Sequence, residues 1–216
     1  MAHHAVMCPP MDDLKGSETR LWDLIDQRTR PGADKARLDA RIWDLFGEDW
    51  AVMFTDLSGF SRATERFGII HFLQIIHEQK RLLLPIVADH DGILIKIEAD
   101  SFLILFRHPG AALRCALAMQ AACRQVNRDR VPEEQILLCL GIGHGRILKI
   151  GDTDVYGAEV NAASKLGEDT ARAEEILMTE AARRACGDVE GIEGFEPLET
   201  AIPGSPVNWK VRYRKA

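Results

Sequence analysis

The feature that most constrains this chain is a series of short apolar segments of strand length, separated by turn signals or by helical stretches. AVMFT (51–55), ILIKI (93–97), SFLILF (101–106), ILLCLGIG (136–143) and EILMT (175–179) are short, and most are rich in residues that favour a pleated surface. ILIKI and SFLILF are separated only by Glu98-Ala99-Asp100, which predicts a tight hairpin. RILKI (146–150) reads as a continuation of the strand before it, and EPLE and VNWKVRY as two closing strands.

The stretches between them carry helical spacing. From about Thr64 to His90, Phe67, Ile70, Phe72, Leu73, Ile76, Leu83, Ile86 and Val87 carry helical periodicity, and Pro85 either bends the segment or starts a second helix. Pro109 opens an Ala- and Leu-rich helix to about Arg128. GDTDVYG reads as a loop, Val160–Leu166 as a helix start and AARRAC as a short helix. The order predicts an α+β sandwich, a mostly antiparallel sheet flanked by helices.

Residues 1–17 are polar and aperiodic and read as a mobile tail. Leu21, Trp22, Leu24 and Ile25 suggest a short helix that Pro31-Gly32 breaks. Leu38, Ile42, Leu45 and Phe46 suggest a second, stopped by Gly47. The chain thus divides into a tail and helical extension (1–48) and a main domain (49–216). The extension reads as a brace on the core, or else as a dimerising or transducing element.

Composition narrows the partners. With 27 basic and 33 acidic residues the net charge is −6, which disfavours nucleic acid as a ligand. No apolar run reaches the roughly 18–20 residues of a membrane span. The N-terminus has no basic segment followed by an apolar one, so no secretory signal is read and a cytoplasmic location is expected. The five cysteines are odd in number and lack CxxC spacing, which fits reduced, mostly buried thiols.

The chemistry concentrates at strand ends. Asp56 closes the first strand and Asp100 lies in the hairpin. If the strands are neighbours, the two carboxylates converge and can hold Mg²⁺ or Mn²⁺. The Ser58-Gly59 turn after Asp56 leads toward a helix, and such a turn offers amide N–H groups to phosphate oxygens. An aspartate after a strand is also a common helix cap. Lys96 interrupts an apolar strand; alternation groups it with Leu94 and Glu98, opposite Ile93, Ile95 and Ile97. It is either a solvated lysine paired with Glu98 or a donor in a nucleotide pocket. Asn161 and Lys165 stand four residues apart, on one face of a helix, and can address a ribose and a phosphate. Gly141, Gly143 and Gly145 read as positions of close backbone packing.

Taken in order, VMFTDLSGFS, ILIKIEADSFLILF, GIGHG and DVYGAEVNAASK resemble the motifs of the class III adenylate/guanylate cyclase catalytic domain, over roughly 50–215. Asp56 and Asp100 stand 100 − 56 = 44 positions apart, as the two metal aspartates of that family usually do. The resemblance implies a ferredoxin-like nucleotidyl cyclase domain acting as a head-to-tail homodimer with its sites at the interface. One protomer would supply Asp56, Asp100 and the Leu57 carbonyl to two Mg²⁺ or Mn²⁺ ions, and the Ser58-Gly59-Phe60 turn to the substrate. Its partner would supply Lys96 and Asp154 to the purine, with Asp152 as the fallback, and Asn161 and Lys165 to ribose and phosphates. Lysine only donates and aspartate accepts, which suits adenine, so the resemblance implies ATP as substrate and cyclic AMP as product. Glu98 keeps guanine selectivity open.

Three positions depart from the family pattern. Lys165 replaces an arginine, keeping the charge but losing the planar fork. Ala99 replaces the hairpin glycine, and the segment from Gly145 to Asp154 is shorter than the family's dimerising arm. The departures keep two other readings open, a degenerate nucleotide-binding or regulatory domain and a cyclase for another nucleoside triphosphate.

Overall fold

The computed structural model describes residues 16–59, 67–199 and 201–215. The N-terminal tail with Cys8, and the start of the expected helix at Thr64, lie outside these residues. Two helices come first, α1 (Ser17–Thr29) and α2 (Lys35–Phe46). Asp34 caps α2 by accepting a hydrogen bond from the Arg37 amide at 3.0 Å. Helix α2 passes into strand β1 (Gly47–Leu57) without a linker. A Cβ on Gly47 would lie 2.4 Å from the Trp43 carbonyl oxygen, so this sharp exit requires glycine.

The remaining elements are α3 (Ile69–Asp89), β2 (Ile93–Glu98), β3 (Ser101–Phe106), α4 (Pro109–Asn127), β4 (Leu138–Ile150), β5 (Asp154–Tyr156), α5 (Ala158–Ser164), β6 (Ile176–Thr179), α6 (Glu180–Ala185), β7 (Ile192–Pro197) and β8 (Asn208–Tyr213). The strands form one sheet in the order β2-β3-β1-β4-β6-β8-β7, with β5 hydrogen-bonded to the far end of β4. Every pairing is antiparallel except β4 with β6. This is the expected α+β architecture. Pro85 lies inside one continuous α3. DVY, expected within a loop, is strand β5, and the first closing strand is IEGFEP rather than EPLE.

The two faces of the sheet bury different sets. One face packs Met53, Phe102, Ile104 and Phe106 against Ile76, Leu83 and Val87 of α3 and Leu113, Ala116 and Met119 of α4. The other packs Trp50, Val52, Leu103, Leu105 and Ile147 against Val160 and Ala163 of α5. Helices α1 and α2 form a third cluster, in which Leu21, Leu24, Leu38, Ile42 and Phe46 close over Ile150 of β4. The short β4–β5 hairpin is therefore covered by the chain's own N-terminal helices. Arg146 ties the two together by donating to the Trp43 carbonyl at 3.0 Å.

Candidate functional site

The register decides which side chains share the α5 face, because directly paired residues point the same way. On β1 they are Trp50, Val52, Phe54 and Asp56, paired with Gly145, Gly143, Gly141 and Cys139 of β4. Phe54 also pairs with Leu103, and Leu103 with Lys96. Between Leu94 and Lys96 the β2–β3 register shifts by one residue. This bulge breaks simple alternation. Leu94 and Ile97 turn to the α3 side, while Ile95 joins the α5-side cluster. Lys96 therefore stands on the α5 face with Ile95, which corrects the alternation expected from the sequence.

The hairpin that carries Asp100 is held by buried polar groups. Gln79 of α3 donates to the Asp100 carbonyl at 2.9 Å, and Thr55 Oγ1 accepts from the Phe102 amide at 3.2 Å. Ala99 makes the turn with φ +51°, a left-handed value that favours glycine. The hairpin tip meets the end of β1, and the Asp56 and Asp100 side chains come within hydrogen-bonding reach of each other. Burial, then the Asp100 charge, pushes the Asp56 carboxyl up to about 7. Burial likewise pushes Asp100 up. The Leu57 amide N–H donates toward both and opposes the shift.

Asp100 is 7% exposed, and its Oδ2 has no hydrogen-bond partner. A buried carboxylate oxygen without a partner, facing a second carboxylate, is a poor arrangement alone and a good one around a cation. The pair thus fits a divalent metal. Cys139 is paired across the ladder from Asp56, but burial pushes its thiol up to about 12, so it stays protonated.

Lys96 Nζ lies 3.1 Å from Asp154 Oδ2 and 3.1 Å from Glu98 Oε1. Burial lowers the Lys96 ammonium, but hydrogen bonds from it to Glu98 and Asp154 outweigh this and hold it above the usual lysine range. Tyr156 Oη stands 3.5 Å from the same Asp154 oxygen, a neighbour the sequence reading missed. Asp152 is instead 2.9 Å from Lys149, on the outer turn of the hairpin.

Helix α5 sits on the glycine stripe of β4. A Cβ on Gly141 would lie 2.2 Å from the Ala163 carbonyl oxygen, and one on Gly143 would lie 2.5 Å from that of Glu159. The close packing expected of these glycines is thus what seats the helix. Asn161 is exposed on its outer side. Lys165 does not continue α5; it begins a π-helical turn, Lys165–Thr170. Its ammonium lies 3.7 Å from Asp169. Turns of this kind are rare and concentrate at functional sites.

The turn after Asp56 differs from expectation in one respect. The Ser58 amide, expected to face phosphate, donates to the Leu137 carbonyl at 2.8 Å. Gly59 is exposed with φ +88°, and Phe60 lies outside the described residues.

Phe54, Lys96, Glu98, Ser101, Leu103 and Glu168 line only a small cleft. A sheet face bearing an acidic pair, a lysine–aspartate pair and a glycine-seated helix is the arrangement that the resemblance to nucleotidyl cyclase domains implies. Comparison with known proteins agrees. The family described as the adenylate and guanylate cyclase catalytic domain matches residues 47–200, and the chain belongs to it. The chain is 31% identical over 139 residues to the serine/threonine-protein kinase pkn2 of Myxococcus xanthus, covering 64% of this chain and 16% of that protein. It is 30% identical over 182 residues to an adenylate cyclase of Streptomyces coelicolor, covering 77% and 44%. Among solved structures, the adenylate/guanylate cyclase/hydrolase of Silicibacter pomeroyi is 27% identical with a TM-score of 0.67, covering 76% of this chain and 96% of that one. The chain spans 16% to 44% of the length of the curated relatives it matches. Among the described residues no helix is long and apolar enough to cross a membrane.

Proposed function

We propose that this domain converts ATP to cyclic AMP and pyrophosphate, as a head-to-tail homodimer. The observation that carries the reading is the convergence of Asp56 and Asp100, with the orphaned Asp100 oxygen, on the sheet face that also carries the Lys96–Asp154 pair. Asp56, Asp100 and the Leu57 carbonyl would hold two Mg²⁺ or Mn²⁺ ions. Bound there, the ions supply charge neutralisation of the triphosphate and a lowered pKa for the ribose 3′-hydroxyl. Lys96 donates to an adenine ring acceptor, and Asp154 accepts from the exocyclic amine. The exposed Gly59 backbone borders the phosphates, with Ser58 bracing the turn from behind. Asn161 orients the ribose, and Lys165 offsets the charge that builds as the 3′-oxygen attacks the α-phosphorus.

A homodimer is favoured by the openness of the site. One chain offers a half-covered sheet face and a small cleft, while Asn161 of α5 and Lys165 of the π-helical turn stand exposed. A second copy would close the site and would give two equivalent ones by symmetry.

The test is to incubate the purified chain with ATP, GTP, CTP or UTP, with Mg²⁺ or Mn²⁺, and identify cyclic products by mass spectrometry. Cyclic AMP from ATP, absent with Asp56→Ala, is the expected result. Cyclic product from another nucleotide would move the base assignment. Nucleotide binding without product would leave the regulatory reading, which Lys165 in place of arginine favours.

A further inference from the structure

A third carboxylate is hydrogen-bonded to the hairpin that carries Asp100. Glu168 lies in the π-helical turn, and nothing in the sequence motifs assigns it a role. Its Oε1 accepts from Ser101 Oγ at 2.6 Å, and its Oε2 accepts from Ser164 Oγ. Ser101 adjoins Asp100 in the hairpin, and Ser164 adjoins Lys165. Glu168 therefore ties the metal-side hairpin to the end of α5.

Its placement follows from the backbone. A Cβ on Gly167 would lie 2.9 Å from the Gly141 amide nitrogen and 3.0 Å from the Phe54 carbonyl oxygen. The turn is thus pressed onto β4 and β1, and the next residue, Glu168, is set beside Ser101. The unpartnered Oδ2 of nine-tenths-buried Asp100 independently fits a cation at this corner.

We infer that Glu168 is a positioning residue of the divalent-metal centre, adding the negative charge of a third carboxylate and fixing the Asp100 hairpin through Ser101. The inference rests on the metal reading above. It does not require Glu168 to touch the metal. Charge count around a divalent ion sets its affinity, and a neighbouring charge acts over several ångströms in a partly buried site.

The test is titration of the full chain with Mn²⁺ alone, followed by electron paramagnetic resonance, without nucleotide. Glu168→Gln keeps the size and an oxygen acceptor but removes the charge; it is expected to weaken Mn²⁺ binding about 3- to 10-fold. Glu168→Asp keeps the charge and is expected to recover most of that loss. Asp100→Asn is expected to weaken binding far more. Wild-type affinity in Glu168→Gln, with binding lost in Asp100→Asn, would overturn the role of Glu168 and leave the metal site standing. Equal weakening in the Asp and Gln variants would also overturn it, since charge would not be the operative property. Wild-type affinity in Asp100→Asn would remove the metal reading itself. Glu168 is exposed, so its two variants are expected to melt with the wild type.

Discussion

Lys96 and Asp154 stand 58 positions apart in sequence, yet Nζ of one lies 3.1 Å from Oδ2 of the other. The β2 bulge turns the lysine onto the α5 face, and the β4–β5 hairpin brings the aspartate back to it. A donor and an acceptor fixed side by side can read two adjacent atoms of a base edge. Removing either partner also leaves the other misplaced. Lys96→Ala and Asp154→Ala are each expected to lower kcat/KM for ATP by about 10- to 100-fold. The double variant is expected to lose less than the product of the two, because the residues act as a pair. Steady-state kinetics on the three variants checks this, and multiplicative losses would show independent roles.

The acidic pair makes stability depend on pH. The Asp56 carboxyl sits at about 7 in the folded chain against an ordinary value of 3.8, so the native state binds the extra proton between those values. The stabilisation is complete below about pH 4 and is lost as pH rises through 7. Metal-free protein is therefore expected to melt lower at pH 8 than at pH 6, apart from changes due to other groups. Asp56→Asn is expected to flatten this difference and raise the melting temperature at pH 8, by about 2–4 °C for each kcal/mol gained. Calorimetry with a chelator present makes the measurement.

Substitutions in the glycine stripe are expected to differ sharply along its length. Gly141→Ala would place a methyl 2.2 Å from the Ala163 carbonyl oxygen and 2.3 Å from the Gly167 amide nitrogen, both backbone. A loss of about 3 kcal/mol or more is expected in urea unfolding. Gly145→Ala meets only the Glu159 side chain, at 3.1 Å, and is expected to lose less than about 1 kcal/mol. Equal effects at the two positions would contradict the seating of α5 on backbone contacts.

Ala99 holds a left-handed conformation in the hairpin that positions Asp100. Ala99→Gly relieves that conformation and loses some chain entropy, for a net gain of about 0.5–1 kcal/mol. Ala99→Val, β-branched at the same φ, is expected to destabilise. Denaturant midpoints at constant m-value separate the two.

Much of this arrangement was legible in the sequence, because apolar period and turn residues carry it. Asp56 follows the apolar run AVMFT, Asp100 lies in the turn between two short apolar runs, and the glycine triplet begins at the end of ILLCLGIG, all readable locally. The bulge at Lys96 was not legible, since a one-residue register shift leaves no compositional mark. The π-helical turn was hidden for a similar reason: Val160–Leu166 has ordinary helical spacing, and the close approach of Gly167 to Gly141 is a contact between distant positions. Glu168 was within reach, being four residues after Ser164 on a helical reading, but its partner Ser101 is 67 positions away. Helices α1 and α2 were read correctly as elements. Their seat on the β4–β5 hairpin depends on Ile150 and Leu148, which no local pattern links to them.

The glycine stripe also bears on how such a domain can change over generations. Helix α5 is held through contacts between its backbone and that of β4, and its inward side chains are small. Its outward residues, Asn161 among them, take little part in that grip. The grip on the sheet and the outward face therefore lie on opposite sides of the same seven residues. Mutation can rewrite one side without erasing the other, so a lineage can vary the outward face while the scaffold beneath stays intact.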